Sequence, residues 1–257
     1  MNLAGRTVLI TGGRRLGAHL AELLAARGMR IAMTYLTSRE PMEAVAERCR
    51  ALGVPAATFQ ADLRQPASAE QLVEQVVAEF GSIDVLVNLT SIYTRTPFRE
   101  LQPDHYFDML GSNLTAPYLT AVAVAQQMLR QPIREGVQGK ILHFTDWAVH
   151  RPYRDYLPYL VAKGAVEMLT RTLAVELSPT ILVNAIAPGT VLPPPEMPEE
   201  RLVEIRQSSA LERIGSPDDV NRMVLYLLEG TDFVTGETYR VDGGRFLGHP
   251  DRQLGDL

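Results

Sequence analysis

The chain has 257 residues, nearly half of them apolar and about a fifth charged, with a formal net charge of −5. That balance excludes a disordered tail, a fibre or a basic nucleic-acid-binding module, while the length allows one large α/β domain or two small ones. Met1 to Ile10 run straight into an apolar strand pattern, with neither a secretory leader nor a membrane-spanning stretch, so the expected setting is a soluble protein of the cytoplasm.

Short apolar runs alternate with longer segments of helical period, the signature of a parallel sheet covered on both faces by helices. Thr7 to Thr11 reads as the first strand, and Leu16 to Arg27 as a helix stopped by Gly28. Arg30 to Thr34 follows as a strand, Glu40 to Ala51 as a helix and Ala56 to Gln60 as a third strand. Cys49, the single cysteine, can form no intramolecular disulfide and no cysteine cluster; packing is its expected role and no metal is expected. Leu72, Val73, Val76, Val77 and Phe80 mark the next helix, before a strand at Val85 to Asn88. A long helix is expected around Asn113 to Leu129, a strand over Lys140 to Thr145, a helix over Leu160 to Leu177 and a strand over Ile181 to Ile186. The Pro188 to Pro198 stretch reads as a loop leading to a small helical cover near Glu199 to Ala210. Ser216 with Pro217 starts a capped helix, and Glu237 to Val241 closes the sheet as strand seven. With no repeat or linker in view, residues 1–257 read as a single Rossmann-type α/β domain. Asn88-Leu89-Thr90 and Asn113-Leu114-Thr115 match the glycosylation triplet, and read as chance without a secretory signal.

The first strand empties into Thr11-Gly12-Gly13-Arg14-Arg15-Leu16-Gly17, a glycine turn at a helix start that offers backbone N–H groups to a pyrophosphate. Tight packing alone also produces such turns. The second strand lacks the acidic residue that would hold the ribose hydroxyls of NAD, and continues into Thr37, Ser38 and Arg39. With Arg14, these residues describe a seat for a 2′-phosphate, since guanidinium groups grip phosphate where a carboxylate repels it. NADPH is therefore the expected cofactor, although exposed arginines are also ordinary surface charges. Asp62, directly after the third strand, is a candidate acceptor for the adenine amino group.

Tyr159 and Lys163 lie four residues apart and so share one helical face. A cation beside a phenol eases proton exchange, which hydride chemistry on a neighbouring atom requires. The pair alone is common on helices. Together with the glycine turn, Asp62-Leu63, Asn113, Pro188-Gly189 and Val241-Asp242-Gly243-Gly244, the chain resembles the short-chain dehydrogenase/reductase family over nearly its whole length.

That resemblance implies a catalytic set of Tyr159 as proton donor, Lys163 holding the nicotinamide ribose and Asn113 organising a water relay. It implies cofactor contacts from Gly12, Arg14, Arg15, Leu16, Gly17, Asp62, Leu63, Asn88, Pro188, Gly189 and Val191, with Val191 lending backbone groups to the carboxamide. It also implies a homotetramer. Where the family usually carries a serine, thirteen residues before the tyrosine, this chain has Asp146. An ionised carboxylate cannot donate to a carbonyl oxygen, whereas a buried carboxyl can orient or pass a proton to a ring nitrogen. Asp146, Arg15 and the segment from Ser91 to Tyr93 are similar to the pteridine reductases, including dihydromonapterin reductases. In that reading Tyr93 stacks on a pterin, with Ser91 and Trp147 also at the substrate. The alternatives are a carbonyl reductase acting on a 3-oxoacyl thioester or sugar ketone, and a non-catalytic NADPH-binding sensor.

Overall fold

The structure is a computed structural model, described here for residues 1–248. Seven parallel strands form one sheet in the order β3-β2-β1-β4-β5-β6-β7. They are β1 (Thr7–Gly12), β2 (Arg30–Tyr35), β3 (Ala56–Gln60), β4 (Val85–Leu89), β5 (Gly139–Phe144), β6 (Ile181–Pro188) and β7 (Thr238–Val241). Helices α1 (Leu16–Ala26), α2 (Arg39–Ala51), α3 (Pro66–Phe80), α4 (Pro103–Leu110), α5 (Ala116–Met128), α6 (Leu157–Glu176), α7 (Glu199–Gln207) and α8 (Pro217–Leu225) occupy the connections.

Strand residues alternate between the two faces, and both faces are covered, which is why the strands read as apolar runs rather than as apolar/polar alternation. Val8, Ile10, Ile31 and Met33 pack with Leu20 and Leu24 of α1 and Val224 of α8 on one side. Leu9, Ala32, Leu86 and Ile141 pack with Val76 of α3 and Val124 of α5 on the other. Cys49 is fully buried in the first of these clusters, as packing requires. Asn88 and Asn113 are buried too, so neither glycosylation triplet presents its asparagine at the surface.

The strand order reverses between β1 and β4, where Thr11 faces Asn88 in register. Crossovers leave this point in opposite directions, so the carboxyl ends of the strands open a crevice there. Two elements depart from the pattern read along the chain. The helix α4 was not expected, because Tyr106 and Phe107 point outward and Met109 is its one buried residue, so it lacks an apolar stripe. The helix expected around Asn113 is broken: a π-helical turn over Gly111–Thr115 joins α4 to α5, and Asn113 sits inside it. In addition, α6 starts at Leu157, early enough to carry Tyr159 in its first turn.

Candidate active site

At the end of β1, Gly12 and Gly13 have φ of +64° and +70°, conformations that favour glycine. A Cβ on Gly12 would stand 2.8 Å from the backbone Cα of Thr90, and one on Gly13 would stand 2.7 Å from Leu89 Cβ. Thr34 braces the turn by accepting the Gly12 N–H at 3.1 Å. The following α1 has no side-chain cap and no acidic residue in its first turn, so no side chain competes with an anion for its leading N–H groups, although that of Gly17 donates to the Gly13 carbonyl. A cleft of about 440 Å³ opens beside the turn, lined by Gly12, Gly13, Leu36, Asp62, Leu63 and Ser91 among others. Uncapped N–H groups and a side-chain-free cradle fit a pyrophosphate.

The remaining residues expected at this end are distributed unevenly. Leu16 packs against the core and Gly17 is buried behind the turn. Arg14, Thr37 and Arg39 are exposed, and Ser38 precedes α2; none of the four lines the cleft, whose rim passes through Leu36. Asp62 does line it, but its carboxylate is clamped by Arg64, with Oδ1 accepting from Nε at 2.8 Å and Oδ2 from Nη2 at 2.7 Å. The guanidinium of Arg64 also holds the Asp62 carboxyl below its ordinary range. Instead of standing free for an adenine amino group, Asp62 thus fixes Arg64, a cleft residue that sequence reasoning missed. The signal was present in the spacing Asp62-Leu63-Arg64. Asn88 is displaced further from expectation. It is buried away from the cleft, accepting from Thr11 Oγ1 at 2.9 Å, donating to the Pro117 carbonyl at 3.3 Å and meeting His143 Nδ1 at 3.3 Å.

At the chemical end the structure brings Tyr159, Asp146 and Lys163 together. The phenol of Tyr159 donates to Asp146 Oδ2 at 2.8 Å, and the other carboxyl oxygen accepts the Ala148 N–H at 2.8 Å. Lys163 Nζ donates to the Phe144 carbonyl at 2.9 Å and lies 5.8 Å from the Tyr159 ring centroid. The charged group bonded to the phenol is therefore the carboxyl, where the spacing alone had pointed to the ammonium. Burial raises the Asp146 carboxyl above its usual value, opposed by the Ala148 and Tyr159 hydrogen bonds. Burial together with Asp146 raises the Tyr159 phenol well above its usual value, so the hydroxyl keeps its proton. Burial also draws Lys163 down to about 8.

Asn113 is fully buried, and its bonds run to the loop after β4. Its Oδ1 accepts from Ser91 Oγ at 2.6 Å, and its Nδ2 donates to the carbonyls of Ile92 and Met109, each at 3.1 Å. The bond to Met109 runs back four residues from within the π turn. Tyr93 stacks on Tyr156 with centroids 4.4 Å apart, meets Tyr159 edge-on at 4.9 Å and shares a 2.9 Å hydrogen bond with the Tyr153 hydroxyl. Tyr153 and Tyr156 thus belong to the site as well as to its packing.

Above these residues lies a second cleft of about 920 Å³, with Asp146, Trp147, Tyr159 and Tyr93 on one side and Gly189, Leu192, Met197 and Ile205 on the other. Arg15 spans from the glycine turn to the proline-rich segment, donating to the Pro193 carbonyl at 2.9 Å. Gly189 lets this loop approach β7: its N–H bonds Val241 O at 2.9 Å, and a Cβ would meet the Asp242 Cα at 2.8 Å. Pro188 ends β6 beside it, while Val191, partly buried, packs against the core and does not line the 920 Å³ cleft. Among the described residues no group of three or more His, Cys, Asp or Glu is placed to hold a metal, and no helix is long and apolar enough to cross a membrane.

A buried phenol on a helix, a carboxyl at the end of β5 and a glycine turn at the strand-order reversal make up a site for hydride and proton exchange. Residues 13–245 match the family model described as enoyl-(acyl carrier protein) reductase. The chain belongs to the short-chain dehydrogenase/reductase family. Members of this family are oxidoreductases that use a nicotinamide cofactor, NAD or NADP. Among similar proteins, the 3-oxoacyl-[acyl-carrier-protein] reductase FabG of Staphylococcus epidermidis is 30% identical over 247 residues, covering 94% of this chain and 99% of that one. The uncharacterized oxidoreductase YohF of Escherichia coli is 30% identical over 252 residues, covering 96% of this chain and 98% of its own. The solved short-chain dehydrogenase/reductase of Serratia marcescens superposes with a TM-score of 0.86 at 29% identity, over 96% of this chain and all of that one. When bound, the cofactor supplies or takes up hydride; the glycine turn, the α1 N-terminus and Lys163 are the residues that would hold it.

Proposed function

We propose that this short-chain reductase uses NADPH to reduce a small carbonyl compound, such as a 3-oxoacyl thioester or a sugar ketone, with Tyr159 as proton donor. The observation that carries the reading is the 2.8 Å bond between the Tyr159 hydroxyl and Asp146 at the wall of the 920 Å³ cleft. A phenol kept protonated beside a second ionisable group is a proton source placed where substrate must enter. The substrate class is supported by relatives that bear the 3-oxoacyl reductase name. Preference for NADPH is supported by the absence of an acid at the end of β2, by exposed Arg39 four residues after it and by exposed Arg14 in the turn after β1. The chain would act as one domain, and its assembly would be a homotetramer covering the exposed Tyr118 of α5 and Val161 and Met168 of α6.

A second reading, reduction of a pterin or dihydropterin, is favoured by Asp146 itself. A raised carboxyl can serve a ring nitrogen, and Tyr93, still 55% exposed, offers an aromatic face to a flat heterocycle. NADPH oxidation by the purified chain, measured in turn with 3-oxoacyl thioesters, sugar ketones, dihydropterin and biopterin, tests both. Turnover of dihydropterins without turnover of any ketone replaces the first reading by the second. Tight NADPH binding without turnover of either class leaves the non-catalytic sensor.

A further inference from the structure

Six arginines line the 920 Å³ cleft, Arg15, Arg95, Arg151, Arg154, Arg201 and Arg245, against two carboxylates, Asp146 and Asp155. The chain as a whole is acidic, with a net charge of −5, so this concentration of positive charge is local. Arg95 pairs with Asp155, Arg201 pairs with Glu204, and Arg15 is tied to the Pro193 carbonyl beside the glycine turn. Arg151, Arg154 and Arg245 enter no ion pair found among the described residues.

Arg245 is the most constrained of the three. Its guanidinium lies 4.4 Å above the Trp147 ring and its Nη1 donates to Thr190 Oγ1 at 2.6 Å, while its buried Nε has no hydrogen-bond partner. Arg151 is anchored to the same spot, donating from Nη1 to the Arg245 carbonyl at 3.0 Å. Desolvating a guanidinium that has no ion-pair partner is unfavourable, and the charge of Arg201 adds repulsion at Arg245. The neighbouring Asp146 favours the charged Arg245 through space but forms no ion pair with it, its oxygens bonding Tyr159 and Ala148. Nor do these arginines line the 440 Å³ cleft beside the glycine turn, where a dinucleotide pyrophosphate would lie.

We propose that the substrate carries an oxyanion group, carboxylate or phosphate, remote from the bond being reduced, and that Arg151 and Arg245 seat it, with Arg154 at the cleft mouth. The inference deepens the reductase reading and rests on it for the word substrate. Planar guanidinium groups suit either anion through paired charge-assisted hydrogen bonds.

Trp147, the single tryptophan of the chain, lies under Arg245 and so reports on this seat without catalysis. Titration of the full chain with glutarate and, separately, with inorganic phosphate is expected to give a saturable change in tryptophan fluorescence that weakens with added salt. The tighter of the two identifies the anion class. Arg151→Gln is expected to weaken that affinity about tenfold, the scale of one charge-assisted hydrogen bond, with Arg151→Lys in between and Arg245→Met weaker still. In turnover, a keto acid should show a lower KM than its methyl ester, and Arg151→Gln should raise the KM of the acid more than it changes kcat. No saturable response, or equal affinity in Arg151→Gln and the parent, overturns the inference. Turnover without preference for the acid leaves the reductase reading standing and removes the anion seat; anion binding without any turnover does the reverse.

Discussion

The two ends of the crevice are built from different materials. At the cofactor end the working groups are main chain: two left-handed glycines, an uncapped helix start and a cleft whose expected arginines stand outside its walls. At the chemical end they are side chains, buried and bonded to one another, with Tyr159, Asp146 and Lys163 drawn from two elements that meet only in the fold. A main-chain site keeps its shape when its exposed rim is changed, so a rim substitution alters only the charge met by the cofactor. A side-chain network has no such tolerance, because each member sets the ionisation of the next.

The largest expected effect follows from that contrast. Tyr159→Phe should lower kcat by about 10² to 10⁴, the usual worth of a positioned acid, while NADPH affinity and the circular dichroism spectrum stay near those of the parent. Retention of full activity would break the chemical half of the comparison. Asp146→Ser is the next test, because it restores a neutral hydroxyl donor beside Tyr159. Its ratio of ketone to dihydropterin turnover should rise by roughly tenfold, the value of one hydrogen bond gained by one substrate and lost by the other. An unchanged ratio would show that Asp146 does not choose between the two chemistries.

At the other end, Arg39→Asp should raise the KM for NADPH by about tenfold with little change in kcat, because the lost contact is made to the cofactor in ground and transition states alike. A fall in kcat of the same size would erase the distinction between the two ends. The smallest expected effect concerns stability. Complete burial, with Lys163 adding to it, pushes His143 down to about 3 from an ordinary value of 6.5. Between these values the unfolded chain binds a proton that the folded chain refuses, so this contribution is whole above about pH 6.5 and is lost progressively as pH falls toward 3. Urea midpoints followed from neutral to acidic pH should therefore decline less steeply in His143→Gln. Equal slopes would mean that His143 is not the group charging on acid unfolding.

Most of the fold was legible along the chain because its strands are buried on both faces and its helices, α4 and α7 apart, each bury an apolar stripe. Strand limits agree within a residue or two, and the capped start of α8 is the one read from Ser216 and Pro217. The π turn escaped notice because its cause, Asn113 bonding backwards to Met109 and sideways to Ile92, depends on a loop twenty residues earlier in the chain. Asn88 was legible as a position but not as a role: from sequence it stood at the cofactor, and in the structure it is engaged with Thr11, Pro117 and His143.

What the amino-acid sequence determined by itself is the local chemistry. Glycines at the β1 turn, a phenol and an ammonium on one helical face, and a carboxyl at the end of β5 each follow from residue type and short spacing. Tertiary structure alone decided which of these groups touch. Tyr159 is paired with Asp146 while Lys163 turns to the Phe144 carbonyl, Arg64 clamps Asp62, and Arg245 lies across Trp147 from nearly a hundred residues away in the chain. Proton affinity is set by those contacts and by exclusion of water, and neither exists until the sheet has closed over its helices.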